Sequence, residues 1–521
     1  MSMRKASTTT EGFQRRLGIF DLTMIGFGCI FGSGWLFAAA HVGDIAGPSS
    51  LISWAVGGVA VMLLGLVFCE LGAALPIPGA IVRYPELSHG PIAGFLIGVI
   101  TTIAFSSLIS IEIVAARQYA GAWIPGLTHD AAGNPTLTGW LVQALVLVAL
   151  YVINRRGIAT FAFVNNIVTF FKFCVPALVI VLLLSRLRPF NFISHGFIPH
   201  GFSGVQTAIS TGGIIFAYLG LTPILSVAGE VRNPQRTLPI ALLVSISLST
   251  LVYMLLQAAF IGSLPEGFLA QGWTGIAARL PLPFHDIAIM LGLGFLAAVV
   301  VIDAVLSPTG TANIYVSALP RVIYAWAKSG TLPKCFRQVR KDTGVPEQGL
   351  NLSFVLALFW TLPFPSWEAL ITVVSASLMM SYALAPTSAA SLRWSHPELE
   401  RPFRLRGFWL IAPGAFIIAT LIVLWTGWNT LKWLMPILIV LQVVLIASRN
   451  MRCSGQWRED LRHSGWMLFY FTAMSLISWA GAFDGHHFIG VALTDLFAVA
   501  NGLLVYFWSE RSGLSEKFIA D

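Results

Sequence analysis

The sequence predicts an all-α integral membrane protein in which two of the crossing helices are broken in mid-membrane. Three observations carry this. Hydrophobic residues make up 56% of the chain and charged residues 10%, and long apolar runs recur from end to end. Lysine and arginine gather in alternate segments between those runs. Two runs are interrupted at their centres, one at Gly28-Cys29-Ile30-Phe31-Gly32-Ser33-Gly34-Trp35-Leu36-Phe37 and the other at Phe216-Ala217-Tyr218-Leu219-Gly220-Leu221-Thr222-Pro223.

The elements follow in order. Met1 to Arg16 is short, polar and basic. It lacks the apolar core and small-residue cleavage site of a signal peptide, so the first run is expected to stay in the mature chain. A crossing helix needs about 20 apolar residues, and fourteen stretches meet that template. They cover residues 18–42, 48–75, 91–120, 137–154, 162–185, 206–229, 238–262, 284–312, 349–363, 367–391, 408–428, 432–448, 465–482 and 487–508. The third and eighth are long enough to tilt or to run past the bilayer. The ninth is short.

Basic residues then set the orientation. With the N-terminus in the cytoplasm, 25 of the 31 lysines and arginines fall in inner segments and 4 in outer ones, the last two (Arg117 and Lys172) lying within spans. That imbalance predicts a multi-pass protein of the cell membrane, inner or plasma, with both termini inside.

The breaks fall in spans 1 and 6. A unit of five spans crosses an odd number of times, so a second copy enters from the opposite side. This predicts a 5+5 inverted repeat, residues 18–185 and 206–391, whose broken helices meet near the midplane. The expected organisation is a cytoplasmic tail (1–17), a transport core (18–393), four peripheral spans (394–508) and a second cytoplasmic tail (509–521).

Several functions are excluded or disfavoured. The five cysteines and ten histidines are dispersed, with no spacing that suggests a metal site or disulfide framework, and no cofactor is expected. The net charge of +8 follows the membrane topology, which leaves lipid headgroups rather than nucleic acid as its partner. An integral-membrane transferase would need clustered carboxylates or histidines at the membrane face, and none stands in the loops. A channel would need rings of pore-lining charge.

The breaks therefore carry the functional reading. A glycine in a helix costs about 1 kcal/mol against alanine and a proline about 3. Lipid offers no water to the peptide groups that such residues free, so a break is tolerated only where it is buried or lines a cavity. In span 1 alone, Gly28-xxx-Gly32 also fits close helix packing. Pro223 in the second break and the five-span spacing favour unwinding, which is the strongest pointer in a sequence to a transporter's binding site.

Several motifs stand in order along the chain: Ile25-Gly26-x-Gly28-x-x-x-Gly32-Ser33-Gly34-Trp35 in span 1, and Glu70-Leu71-Gly72-Ala73-x-x-Pro76 at the inner end of span 2, followed by Gly79 and Arg83-Tyr84-Pro85. Ala228-Gly229-Glu230-Val231-Arg232-Asn233-Pro234-Gln235-Arg236 follows span 6. Arg321, Tyr324-Ala325 and Lys328-Ser329-Gly330-Thr331-Leu332-Pro333 follow span 8. In these residues the chain resembles the amino acid–polyamine–organocation (APC) superfamily of permeases over nearly its whole length. The Ile302-Asp303-Ala304-x-x-Ser307-Pro308-x-Gly310-Thr311 run and the span count look most like the aspartate:proton symporter-like group.

The resemblance implies a LeuT-type fold. It implies that the N–H groups of Gly32, Ser33 and Gly34 receive the α-carboxylate of an amino acid substrate, as the positive end of the following half-helix also favours. It places the α-amino group on carbonyls of Ile30, Phe216 and Leu219 beside Gly220, with Phe216 as a gate. Many relatives carry an acid two residues after the span 6 glycine. Here Thr222 stands there, so a cationic substrate is disfavoured. Glu230 is expected to close an inner gate with an arginine.

Charges within the membrane read as functional by default. Lys172 lies about ten residues into span 5, roughly 15 Å deep, and matches the lysine that proton-coupled relatives place between spans 1 and 8. Asp303 is expected at a similar depth. Lys172 and Asp303 are the expected proton-coupling residues, either as titrating groups or as a permanent ion pair. Glu112 in span 3 faces either the substrate or a neighbouring helix. Arg117 either snorkels to the outer interface or faces the vestibule. The function these readings predict is secondary active transport of an amino acid by alternating access. A proton is the expected coupling ion and an acidic amino acid the favoured substrate. Proton-independent exchange is the alternative.

Overall fold

The computed structural model describes residues 17–77, 79–156, 172–218, 220, 231–452 and 455–514. Among these residues the structure is helical, its β-pairing confined to two isolated bridges. In chain order the helices are α1 (Ile19–Ile30), α2 (Gly34–Ala46), α3 (Ser50–Ala74), α4 (Ala80–His89), α5 (Pro91–Ala120) and α6 (Leu137–Arg155). Next comes α7 (Lys172–Leu184). Then follow α8 (Gly201–Thr211), α9 (Ile214–Ala217), α10 (Pro234–Ser263), α11 (Ile276–Arg279), α12 (Pro283–Met290) and α13 (Gly294–Lys328). The last six are α14 (Glu347–Trp360), α15 (Trp367–Ser395), α16 (Phe408–Trp425), α17 (Trp428–Arg452), α18 (Gln456–Ala480) and α19 (Val491–Arg511).

Nine stretches among the described residues are long and apolar enough to cross a bilayer. They answer to nine of the fourteen expected spans, and four of the other five fall short for a physical reason. Spans 1 and 6 are split, into α1–α2 and α8–α9. Span 5 lies partly outside the described residues. α14 has 14 residues. α18 opens on four charged residues and continues through histidine, serine, threonine, tyrosine and tryptophan, which dilute its apolar character.

Burial sorts the helices into centre and periphery. The most apolar windows of α5 and α15 are 83% and 89% buried, against 28% for α6 and 33% for α19. A helix buried on every side needs close partners, and glycine supplies the approach. A Cβ at Gly98 of α5 would collide with the Trp326 indole of α13. α6 is fastened to α13 by a buried polar pair, Asn154 to Asn313 at 2.7 Å, and to α14 by a half-buried one, Tyr151 to Asn351 at 2.7 Å.

Two further fastenings matter below. Leu17, just before α1, pairs with Val231, just before α10, and the N–H of Arg232 donates to the Leu17 carbonyl at 2.9 Å. At the opposite end of the bundle, Asp495 of α19 accepts from Gln206 of α8 at 2.6 Å and from the indole N–H of Trp425 at 2.9 Å. The Ser210 hydroxyl of α8 donates to the Trp425 carbonyl at 2.7 Å.

The strongest polar staple is at the basic end. Glu70, at the foot of α3, accepts two bonds from Arg393 of α15, at 2.7 and 2.6 Å, and a third from the N–H of Leu405 at 2.8 Å. Arg401 stands 3.7 Å away, and the Arg393 guanidinium lies 3.8 Å from the centre of the Phe408 ring. Removing one partner from a buried pair leaves an uncompensated charge and costs about 3–5 kcal/mol. Glu70→Gln is therefore expected to lower the melting temperature of the purified protein by several degrees. Arg340→Ala, which breaks an exposed pair with Asp342, is expected to leave it unchanged within error; thermal unfolding in detergent reads both.

Candidate functional site

Three residues without helical pairing, Phe31 to Ser33, separate α1 from α2. The N–H of Gly32 folds back on the Ile30 carbonyl at 3.1 Å. The N–H of Ser33 donates to Glu112 Oε2 of α5 at 2.8 Å. The Ser33 hydroxyl accepts from the Trp367 indole N–H of α15 at 3.1 Å. The Tyr253 hydroxyl of α10 lies 3.1 Å from the Ile30 carbonyl and 2.9 Å from that of Ala217 in α9. One side chain thus bridges the two broken helices.

The breaks meet backbone to backbone. A Cβ at Gly34 would stand 2.9 Å from the Ala217 Cα, and one at Gly220 would stand 2.5 Å from Ile30 Cγ1. A Cβ at Gly32 would overlap the Glu112 carboxylate. These glycines are required for room, each against a named neighbour.

In span 6 the first interruption comes earlier than the sequence suggests, at Gly212-Gly213. Gly213 has φ +99°, a left-handed conformation that favours glycine. A Cβ there would also press on the Trp367 ring at 2.7 Å. Phe216 consequently lies inside α9 rather than in unwound chain. Its ring meets Trp367 edge to face, with centroids 6.1 Å apart. Leu219, Thr222 and Glu230 lie outside the described residues.

The buried charges sit differently from their sequence expectations. Lys172 lies between α1 and α13, its ammonium donating to the Gly28 carbonyl at 3.1 Å and to Thr311 Oγ1 at 2.7 Å. Thr311 in turn lies 3.4 Å from the Phe31 carbonyl. No Lys172–Asp303 ion pair is formed. α13 runs from Gly294 to Lys328, so Asp303 is eight residues, about 12 Å of helix rise, from the threonine that Lys172 touches. Asp303 Oδ1 accepts from Ser307 at 2.8 Å, and Oδ2 has no partner among the described residues.

Arg117 neither snorkels nor faces a vestibule. It is buried, and its guanidinium binds Gln143 Oε1, the Leu127 carbonyl at 3.1 Å and the Gly133 carbonyl at 2.5 Å. It holds the loop between α5 and α6 in place.

Three residues at the site were not singled out for it from the sequence: Tyr253, Trp367 and Thr311. Tyr253 is a tyrosine in an otherwise apolar run, and a buried hydroxyl needs a partner, which was the available signal. Trp367 opens its helix and reads as an interfacial aromatic. In the structure it is buried, stacked on Phe37 at 5.0 Å and His41 at 5.2 Å, over the arginine-poor side of the break.

The site is thus a meeting of peptide groups held by side chains rather than by helix pairing, enclosed by aromatic rings and flanked by Glu112 and Lys172. Known proteins agree with that picture. The amino acid permease family model matches residues 17–445. The chain is 46% identical to an aspartate-proton symporter of Bacillus subtilis, over 97% of this chain and 98% of that one. It is 35% identical to the glutamate/serine transporter AimA of the same organism, over 97% and 95%. It is 26% identical to the branched-chain amino acid permease BcaP, over 85% and 95%. The chain belongs to the amino acid permease family of the APC superfamily, and is a multi-pass membrane transporter rather than an enzyme.

Proposed function

We propose that the chain carries an acidic amino acid into the cell together with a proton, by alternating access. The observation that carries this reading is the pairing of a peptide donor and peptide acceptors at one point. The N–H of Ser33 and the carbonyls of Ile30 and Ala217 stand where two broken helices touch. An amino acid offers the complement, a carboxylate acceptor and an ammonium donor, whatever its side chain. The start of α2 adds the positive end of a helix dipole. The full-length likeness to an aspartate-proton symporter supports the choice of an acidic side chain and of the proton.

The arrangement implies a division of labour. In this reading Ser33 with Gly32 and Gly34 receives the carboxylate, and Ile30 with span 6 receives the ammonium group. Leu219 and Gly220 belong to the same span, as does Thr222, which the sequence makes a candidate for reading the substrate side chain. Phe216 and Trp367 close the arginine-poor side over the bound molecule. The clasp between Leu17 and Val231, next to Glu230, closes the other.

Lys172 is assigned the coupling. As an ammonium it bonds the Gly28 carbonyl and Thr311, tying the first half of the broken helix to α13. Loss of its proton weakens that tie. Protonation and the position of α1 are then linked, which is what symport requires. Asp303, one of whose oxygens has no partner among the described residues, is the companion acid. The charge bias of the connecting segments supports cytoplasmic termini. The placing of the breaks supports two inverted five-span repeats, with α16 to α19 outside them.

Uptake of a panel of labelled amino acids into proteoliposomes tests the reading. Aspartate and glutamate are expected to accumulate and to do so faster under an inwardly directed proton gradient. Uptake that ignores the gradient but requires internal amino acid selects exchange instead. Lys172→Met is expected to lose acceleration by the gradient, with uptake falling about tenfold, as for one charge-assisted hydrogen bond. A Lys172→Met protein that still acidifies the lumen during uptake rules out the titrating lysine.

A further inference from the structure

An empty broken helix has a problem that an occupied one does not. Each unsatisfied peptide group in a water-free interior costs several kcal/mol. A symporter must nevertheless return across the membrane with no substrate, whereas an exchanger returns only loaded.

We infer that Glu112 and Tyr253 are the protein's own stand-ins for the two poles of its substrate, satisfying the breaks while the site is empty. The polarities match group for group. A substrate carboxylate would accept from the Ser33 N–H, and Glu112 Oε2 does so at 2.8 Å. A substrate ammonium would donate to the carbonyls of Ile30 and Ala217, and the Tyr253 hydroxyl faces them at 3.1 and 2.9 Å. Both side chains are fully buried, and both come from helices other than the broken ones.

Each stand-in is built to leave. Glu112 is held through one oxygen, the other having no partner among the described residues. Tyr253 has a single proton to divide between two carbonyls. Gly32 is the residue that admits Glu112, because a Cβ there would overlap the carboxylate. The arriving zwitterion replaces both contacts at once, with like for like, so the exchange of partners is close to neutral. The same substitution in reverse lets the unloaded carrier reorient. The device therefore favours net uptake over compulsory exchange. It rests on the transport reading above and specifies how the empty half of that cycle is made possible.

Net uptake and counterflow separate the two halves of the cycle. Net uptake of labelled aspartate into substrate-free proteoliposomes needs the empty return. Counterflow into vesicles preloaded with unlabelled aspartate does not. Tyr253→Phe keeps the ring and removes the donor. It is expected to cut net uptake about tenfold, as for one buried acceptor left unpaired, and to reduce counterflow much less. Equal loss of both activities, or loss of neither, overturns the inference. Should Tyr253→Phe fail to fold, Glu112→Gln and Glu112→Ala decide. The glutamine oxygen still accepts from Ser33, so its ratio of net uptake to counterflow is expected to exceed that of alanine several-fold, and equal ratios reject the idea. A wild-type protein that moves no amino acid in either assay counts against the transport reading itself.

Discussion

A peptide group without a partner, inside a slab that contains no water, is the constraint around which this molecule is arranged. α1 stops at Ile30 and α2 starts at Gly34, so the chain between them has to find its hydrogen bonds elsewhere. Its peptide groups find them on three other helices, through Glu112 of α5, Tyr253 of α10 and Thr311 of α13, and the Ser33 hydroxyl finds a fourth through Trp367 of α15. The second broken helix shares one of these through Ala217. α5 and α15, the two most buried of the nine crossing stretches among the described residues, are among the helices that supply these partners.

Much of the architecture was legible in the sequence because its signals are local. Glycine and proline announce a break without reference to any neighbour. A run of about 20 apolar residues announces a crossing, and the basic residues between runs alternate with the crossings. Local rules also misplace details for identifiable reasons. The Gly212-Gly213 interruption lay in the same apolar run as the more conspicuous Gly220-Leu221-Thr222-Pro223. Asp303 was placed near Lys172 by treating 284–312 as one span. The structure divides that region into α12 and a longer α13, which carries the acid away from the lysine.

The partners of the breaks were the less legible part. Ser33 is 79 residues from Glu112, Ile30 is 223 from Tyr253, and Ser33 is 334 from Trp367. Helix periodicity normally tells which side faces a partner, but α5 is buried around its circumference and offers no such contrast. Glu112 was recognisable as exceptional, since an acid in an apolar helix demands a reason, yet its direction was not. Arg117 shows the same limit. Its burial cost is met by loop carbonyls and Gln143, groups that carry no sequence signature for binding a guanidinium.

The link from Asp495 to Gln206 and Trp425 bears on how the last four helices relate to the rest. α8 is half of a broken helix, and its own backbone gives it only three turns. Its polar face is completed by a carboxylate and a carbonyl that belong to α19 and α16. A shortened chain ending after α15 would strip both acceptors from that face, leaving Gln206 without Asp495 and Ser210 with only the Thr207 carbonyl of its own helix. The C-terminal quarter thus supplies polar partners to the first half of the second broken helix and is tied to the transport core as well as set beside it.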